Sequence, residues 1–279
     1  MKNFIKKVIY KYFYNKSALI NFKDIHKDEE CYIFGGGVSI KWFDLNYFNN
    51  KKSIVVNYLP FHNDFENLKA KYCILSEPFW FLPIEKVAKE LSIQKGFPWS
   101  ILNYIPNPTQ KLYKELFFKY NDKHFFVHFS NALVLRRNNI TFLFDKISDS
   151  KFFDICNSKG INAYHGSFRT SISLAIHMGF SKVYLVGFDY THTPSRVSHW
   201  FEKGEGWEYV VENYNEEFFL IARKFIEIIT VTIEGKSNIL PSITYNELTG
   251  KYPFYRENNE LVKPKILKIL KTFPGYKIY

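Results

Sequence analysis

Cysteine is scarce: Cys31, Cys73 and Cys156 are the three in 279 residues. Their spacings match no zinc-ligand set and no redox pair, and an odd, sparse count suits a reducing cytoplasm better than a disulfide scaffold. Cys31 and Cys73 fall in apolar, strand-like runs and read as small buried hydrophobes. No apolar run approaches the ~20 residues of a membrane-spanning helix. Met1–Asn15 carries Lys2, Lys6 and Lys7 but has no unbroken apolar centre and no small-residue cleavage site, so no signal peptide is expected. A soluble or peripheral protein is the expectation.

Several catalytic signatures are also missing. There is no Gly-Lys-Ser/Thr phosphate loop, no Gly-x-Ser-x-Gly elbow and no His-Glu-x-x-His pair. The full dinucleotide fingerprint Gly-x-Gly-x-x-Gly fails because position 40 is Ile. Nucleic-acid recognition modules and basic blocks interleaved with aromatics are absent too, so nucleic acid is excluded as a partner.

What the chain does have is positive charge, a net +11, with lysines gathered toward the two ends. With nucleic acid set aside, an anionic membrane face or an anionic substrate accounts for it. Aromatic residues make up 19% of the chain. A coding bias toward Phe and Tyr and a functional aromatic surface both fit that figure.

The pattern is that of an α/β chain. Cys31–Phe34, Ile54–Val56, Tyr72–Leu75, Phe125–Val127 and Val183–Val186 are short buried-strand candidates, and Ile229–Ile233 is another. Helices are expected at Ser39–Ile40, through the unit opening at Gly166 and ending at Gly179, and over about Glu208–Ile229. Alternation of strands and helices implies a Rossmann-like parallel sheet with helices on both faces. Basic amphipathic helices are expected at both ends: Phe4, Ile5, Val8, Ile9, Tyr12 and Phe13 share one face, and Ile266, Leu267, Leu270 and Phe273 another. The division is 1–25 for the first helix, 26–250 for the nucleotide-binding domain and 251–279 for a basic tail or helix. Each end either packs on the domain or lies on a membrane.

Gly35-Gly36-Gly37 follows the first strand. Glycines permit close backbone approach, and the following helix start offers N–H donors to a phosphate. Asn57 and Ser76 end the next two strands, where a parallel sheet presents its ligand crevice. Gly187-Phe188-Asp189 closes the strongest strand, and an Asp there can hold a ribose or sugar hydroxyl. Ser198-His199-Trp200 follows in a polar segment with His192, and a loop histidine is suited to general base work. A single Asp is too little for a metal site, so none is expected.

In order and spacing, Tyr32-Ile33-Phe34-Gly35-Gly36-Gly37-Val38-Ser39-Ile40, the Gly166-Ser167 helix with His177–Phe180, Val183–Asp189 and Ser198-His199 resemble glycosyltransferase family 42. Those are the bacterial lipooligosaccharide sialyltransferases, and the blocks also resemble the related motility-associated-factor flagellin glycosyltransferases. The resemblance implies a GT-A-like single nucleotide-binding domain, a CMP-activated sugar donor, no required cofactor and inverting transfer with His199 as base. By the same resemblance Gly35, Gly36, Gly37 and Ser39 match the phosphate-side loop, Asn57 matches a nucleotide-contacting Asn, Ser167 matches a phosphate-contacting Ser, and Gly187, Phe188 and Asp189 match the cytidine-ribose edge. Thr191 stands where the sialyltransferases have the first of two tyrosines. Tyr164 stands where they have an Arg, which leaves Arg169 and His192 to meet the leaving phosphate.

A glycan or glycolipid acceptor in lipopolysaccharide or capsule synthesis would account for the basic ends. It would put the protein in the cytoplasm or at the inner face of the bacterial cytoplasmic membrane, with homo-oligomerisation compatible. The competing readings are a nucleotide-dependent, pyrophosphokinase-like transferase and a non-catalytic nucleotide- or glycan-binding protein.

Overall fold

The computed structural model of the protein describes residues 18–77, 80–81, 109–132, 134–143, 166–209, 216–273 and 275–279. Cys156 and the basic helix expected at Met1–Asn15 lie outside the described residues. Ala18–Phe22, inside the segment expected to form that helix, is a 3-10 turn.

Eight parallel strands form one sheet in the order β10-β9-β6-β1-β2-β3-β4-β5. They are β1 (Glu30–Phe34), β2 (Ser53–Val56), β3 (Tyr72–Leu75), β4 (His124–His128), β5 (Ile140–Leu143), β6 (Lys182–Val186), β9 (Glu227–Thr232) and β10 (Ser242–Thr244). Their runs are apolar on both sides because both faces of the sheet are covered. Tyr32 and Phe34 of β1 enter one core, and Cys31 and Ile33 enter the other.

The helices divide in the same way. The first core takes α1 (Phe65–Leu68), α2 (Gln110–Lys119), α5 (Tyr245–Thr249), α6 (Asn258–Leu261) and α7 (Pro264–Leu270). The second takes α3 (Gly166–His177) and α4 (Glu216–Ala222). This is the α/β, Rossmann-like arrangement that the sequence alternation implies. The strand order reverses between β1 and β6, which pair Tyr32 with Tyr184 and Phe34 with Val186. Their C-terminal ends therefore flank the point where an open parallel sheet has a crevice.

The long helix expected over Glu208–Ile229 is not formed. Trp207–Tyr209 is instead β8, paired antiparallel with β7 (Ser195–Val197), and among the described residues of that stretch the helix covers Glu216–Ala222. Trp207, Glu208 and Tyr209 are exposed and find their partners across a hairpin, a long-range pairing that helical spacing does not register. The following strand begins two residues earlier than expected, at Glu227.

Residues 251–279 build part of the first core rather than hanging from it. Leu261, Val262, Leu267, Leu270 and Ile278 are buried there, so the apolar face of α7 packs on the domain. Two backbone bonds, Phe254 N–H to Trp42 O and Arg256 N–H to Lys41 O, lay this segment beside the turn after β1. The Lys41 side chain is fully buried and donates to Glu257 Oε1 at 2.8 Å and Gly204 O at 2.7 Å. Burial opposes ionisation of Glu257, but donors from Lys41, Asn258, Tyr255 and Gly204 outweigh it and hold its pKa to about 2.

Burial also keeps three histidines neutral, lowering His62 to about 3 and His124 and His128 to about 4. Unfolded histidine titrates near 6.5, so the unfolded chain binds more protons between that value and about 4. Stability is full above pH 6.5 and falls with pH through this window, by up to about 1.4 kcal/mol per pH unit for a fully buried histidine. Urea unfolding followed from neutral pH down to about pH 4 should show this decline, and His62→Gln should make it shallower. An unchanged slope in the variant would show that His62 does not supply the effect.

Candidate active site

The Gly35–Gly37 loop leaves β1 directly beside the Gly187 loop that leaves β6. Gly35 N–H donates to Val186 O at 2.7 Å, and Gly37 N–H donates to Gly187 O at 2.8 Å. Side chains would not fit this approach: a Cβ on Gly35 would lie 2.4 Å from Gly187 O, and one on Gly37 2.7 Å from the Asp189 carboxylate. Gly187 itself sits at φ +76°, where glycine is favoured. Gly36 differs, since its Cβ would meet only His199 Nδ1, at 3.6 Å. Packing thus requires the outer two glycines of the triplet and leaves the middle one facing open space.

Asp189 is fully engaged inside this junction. Its Oδ2 accepts from Ser39 N–H at 2.9 Å, its Oδ1 accepts from the Ser39 hydroxyl in a very short contact, and the Val38 amide also donates to it. A buried carboxylate therefore already occupies the amide donors at the start of the Val38–Trp42 turn, the place expected for a phosphate. Burial raises the Asp189 pKa, while nearby His192 and these donors oppose the rise. Burial lowers that of His192, and Asp189 only partly restores it, so the surroundings disfavour the cation expected beside a leaving phosphate.

On the other face of the junction, Asn57 and Ser167 come together. Asn57 adopts φ +49° at the end of β2, and its Nδ2 donates to Ser167 Oγ at 3.3 Å across 110 residues. Asn57 Oδ1 and the Ser76 hydroxyl are buried without a hydrogen-bond partner among the described residues. These orphaned polar atoms stand at two adjacent strand ends, where an open parallel sheet presents its ligand crevice, and a ligand there could complete their bonding. Arg169 does not join them. It lies two residues beyond Ser167 on α3, hence on nearly the opposite side, and its guanidinium sits 5.6 Å from the Phe218 ring centre. Phe188 is likewise buried against Phe168 and Tyr190 rather than turned to a ligand.

His199 hangs over the loop from the segment after β7. Trp200 N–H donates to Gly36 O, and His199 pairs with Gly37 as an antiparallel bridge. The imidazole is exposed, with Nδ1 3.2 Å from Gly36 O. A carbonyl only accepts, so this contact puts the single proton of a neutral imidazole on Nδ1 and its lone pair on Nε2.

Sequence reasoning missed the groups that hold His199. Its ring stacks on Phe201 and meets Tyr276 edge-on at 5.6 Å. Glu202 accepts from His199 N–H at 2.9 Å and from Lys277 N–H at 3.0 Å. Tyr276 and Lys277 lie more than 70 residues away in an unpatterned stretch, and no local signal marks them. No group of His, Cys, Asp and Glu suited to a metal ion occurs among the described residues.

No family model matches the sequence, and no curated protein matches it significantly. Among solved structures the chain is similar to the sialyltransferase CstII from Campylobacter jejuni in complex with a substrate analogue, cytidine-5'-monophosphate. That match has a TM-score of 0.39 and 15% identity and covers 85% of this chain and 94% of that one. A second structure of CstII, in complex with CMP-3FNeuAc, matches with a TM-score of 0.37 and 15% identity over 85% of this chain and 95% of that one.

The glycine geometry makes a test. Gly35→Ala should lower the melting temperature by several degrees, since a clash with fixed backbone costs about 1–3 kcal/mol or more. Gly36→Ala should leave it near wild type. Equal effects in a thermal melt would contradict the division of roles within the triplet.

Proposed function

We propose that the chain is a glycosyltransferase that takes a sugar from a CMP-activated donor. The observation that carries this reading is the set of polar groups at the strand ends beside the β1/β6 switch point: Asn57 hydrogen-bonded to Ser167, Asn57 Oδ1 and the Ser76 hydroxyl without partners among the described residues, and the His199 imidazole over Gly36. The order of the sequence blocks that resemble family 42 supports the cytidine donor, and sialic acid or a related nonulosonate is the sugar proposed with it.

In this reading the leaving CMP phosphate meets neutral donors: the Gly36 amide, Asn57 Nδ2 and the Ser167 hydroxyl. Such donors stabilise charge as it develops when they are already oriented. His199 Nε2 takes the proton from an acceptor hydroxyl. That oxygen then bonds to the anomeric carbon as the bond to the phosphate breaks on the opposite side, which inverts the centre. The Nδ1–H bond to Gly36 O ties the base to the same loop that receives the phosphate. The acceptor is proposed to be a cell-surface glycan or glycolipid. No helix among the described residues is long and apolar enough to cross a membrane.

Thermal melts against CMP, CDP, UDP, GDP and ATP test the donor. CMP should stabilise most, by about 2.7 kcal/mol at one hundred times its Kd. Gly36→Val should abolish that gain without unfolding the chain, and preference for UDP or ATP would sink the assignment.

For the base, His199→Ala should lower turnover by about 10²- to 10⁴-fold while donor affinity hardly changes. The acid limb of the pH–rate profile should vanish in this variant and persist in His192→Ala. Full activity with an intact limb in His199→Ala would show that another group is the base.

A further inference from the structure

Ser39 and Asp189 form part of the wall of a cavity of about 560 Å³ over the ends of β6, β9 and β10. Its walls include Trp42 and Tyr252, Arg196 and the carboxylates of Glu205, Glu208 and Glu234. Three features define what it can hold. The first is charge. With Asp189, the lining has four carboxylates against the single guanidinium of Arg196, in a chain whose net charge is +11. A phosphate or carboxylate ligand is repelled here, whereas hydroxyls and amines find acceptors.

The second feature is aromatic surface. Tyr252 is 85% exposed, and the Trp42 indole supports Arg196, whose guanidinium lies 5.1 Å from the ring centre. The Arg196 contacts to Glu205 and Glu208, at 3.7 and 3.5 Å, are long and solvent-facing, so these side chains can turn to a ligand at little cost. The third is an orphan. His192, 6% exposed, lines the cavity, and its Nδ1 has no hydrogen-bond partner among the described residues. A buried ring nitrogen without a partner costs free energy that a ligand hydroxyl would recover.

Aromatic faces for sugar C–H surfaces, carboxylates for vicinal hydroxyls and a buried imidazole to fix one of them are the chemistry of carbohydrate recognition. We propose that this cavity is a subsite for a neutral or amino-bearing saccharide, separate from the nucleotide crevice. Its assignment to the acceptor, as opposed to a glycan held for another purpose, rests on the glycosyltransferase reading above. The cavity reaches the loop after β1 through Ser39, braced by Asp189, and its Arg196 is three residues from His199.

Saturation-transfer NMR with methyl β-glucoside, methyl β-glucosaminide and lactose as probes, alongside thermal melts with CMP, tests the subsite. At least one saccharide should receive saturation, and Tyr252→Ala should weaken it by about threefold or more, the loss of one stacking contact. Glu234→Lys should weaken the glucosaminide most, and CMP stabilisation should persist in both variants. Tyr252 and Glu234 are exposed, so neither change removes core packing. No transfer to any probe, or equal transfer in wild type and both variants, overturns the subsite even when CMP binds. Saccharide binding that responds to these variants in a protein that CMP does not stabilise keeps the subsite and sinks the donor reading.

Discussion

The bond set around one buried carboxylate holds the working end of this molecule together. Asp189, at the end of β6, accepts from the backbone and side chain of Ser39 just beyond β1. That contact ties the two strands at which the sheet reverses direction. An anion at the start of a tight turn is normally supplied by a ligand, and here the fold supplies it from within. The consequence is a division of labour. The amides of Gly35, Gly37 and Ser39 maintain the junction, which leaves Gly36 and the strand ends that carry Asn57 and Ser76 as the groups proposed to meet a ligand.

The junction also separates two environments that differ in charge and bonding. On the Asn57 side, amide and hydroxyl groups surround an open loop. On the His192 side, carboxylates and aromatic faces surround a cavity. In the proposed transfer a sugar parts from an anionic CMP group and bonds to a polyhydroxylated acceptor, and such a contrast keeps the two ligands distinct, because one pocket that suited both would discriminate neither. The backbone between them is rigid because glycine packing and the Asp189 bonds leave no alternative path for it.

The C-terminal segment stabilises both sides. Glu257 neutralises the buried Lys41 on the turn that follows the glycines. Asn258 Nδ2 donates to Phe201 O and Ile278 O, at 3.0 and 3.1 Å. Glu202 bonds to the Lys277 amide and to the His199 amide. The imidazole over Gly36 is thus positioned by residues at the far end of the chain, and a loop of modest length becomes a fixed support.

The sheet, its parallel sense and most of its strands were legible in the sequence, since runs such as Cys31–Phe34 and Val183–Val186 are apolar on both faces and bounded by turn residues. Gly35–Gly37, Asn57, Ser167 and Asp189 were legible as strand-end or helix-start positions for the same reason. The β7–β8 hairpin was hidden because the exposed Trp207–Tyr209 carries no alternation of its own and becomes a strand only by pairing back with Ser195–Val197. What Asp189 does could not be read locally either: whether it faces a ribose or Ser39 depends on how close β1 comes to β6. Arg169 and Ser167 look equivalent in a linear motif, yet two residues of helix turn them to opposite sides. Local chemistry and alternation in the sequence determined the fold class and the polar strand ends. The pairing of Gly36 with His199, the lowered pKa of buried His192 and the cavity beside Asp189 were decided by the tertiary structure, because each depends on burial and on contacts between segments distant in the chain.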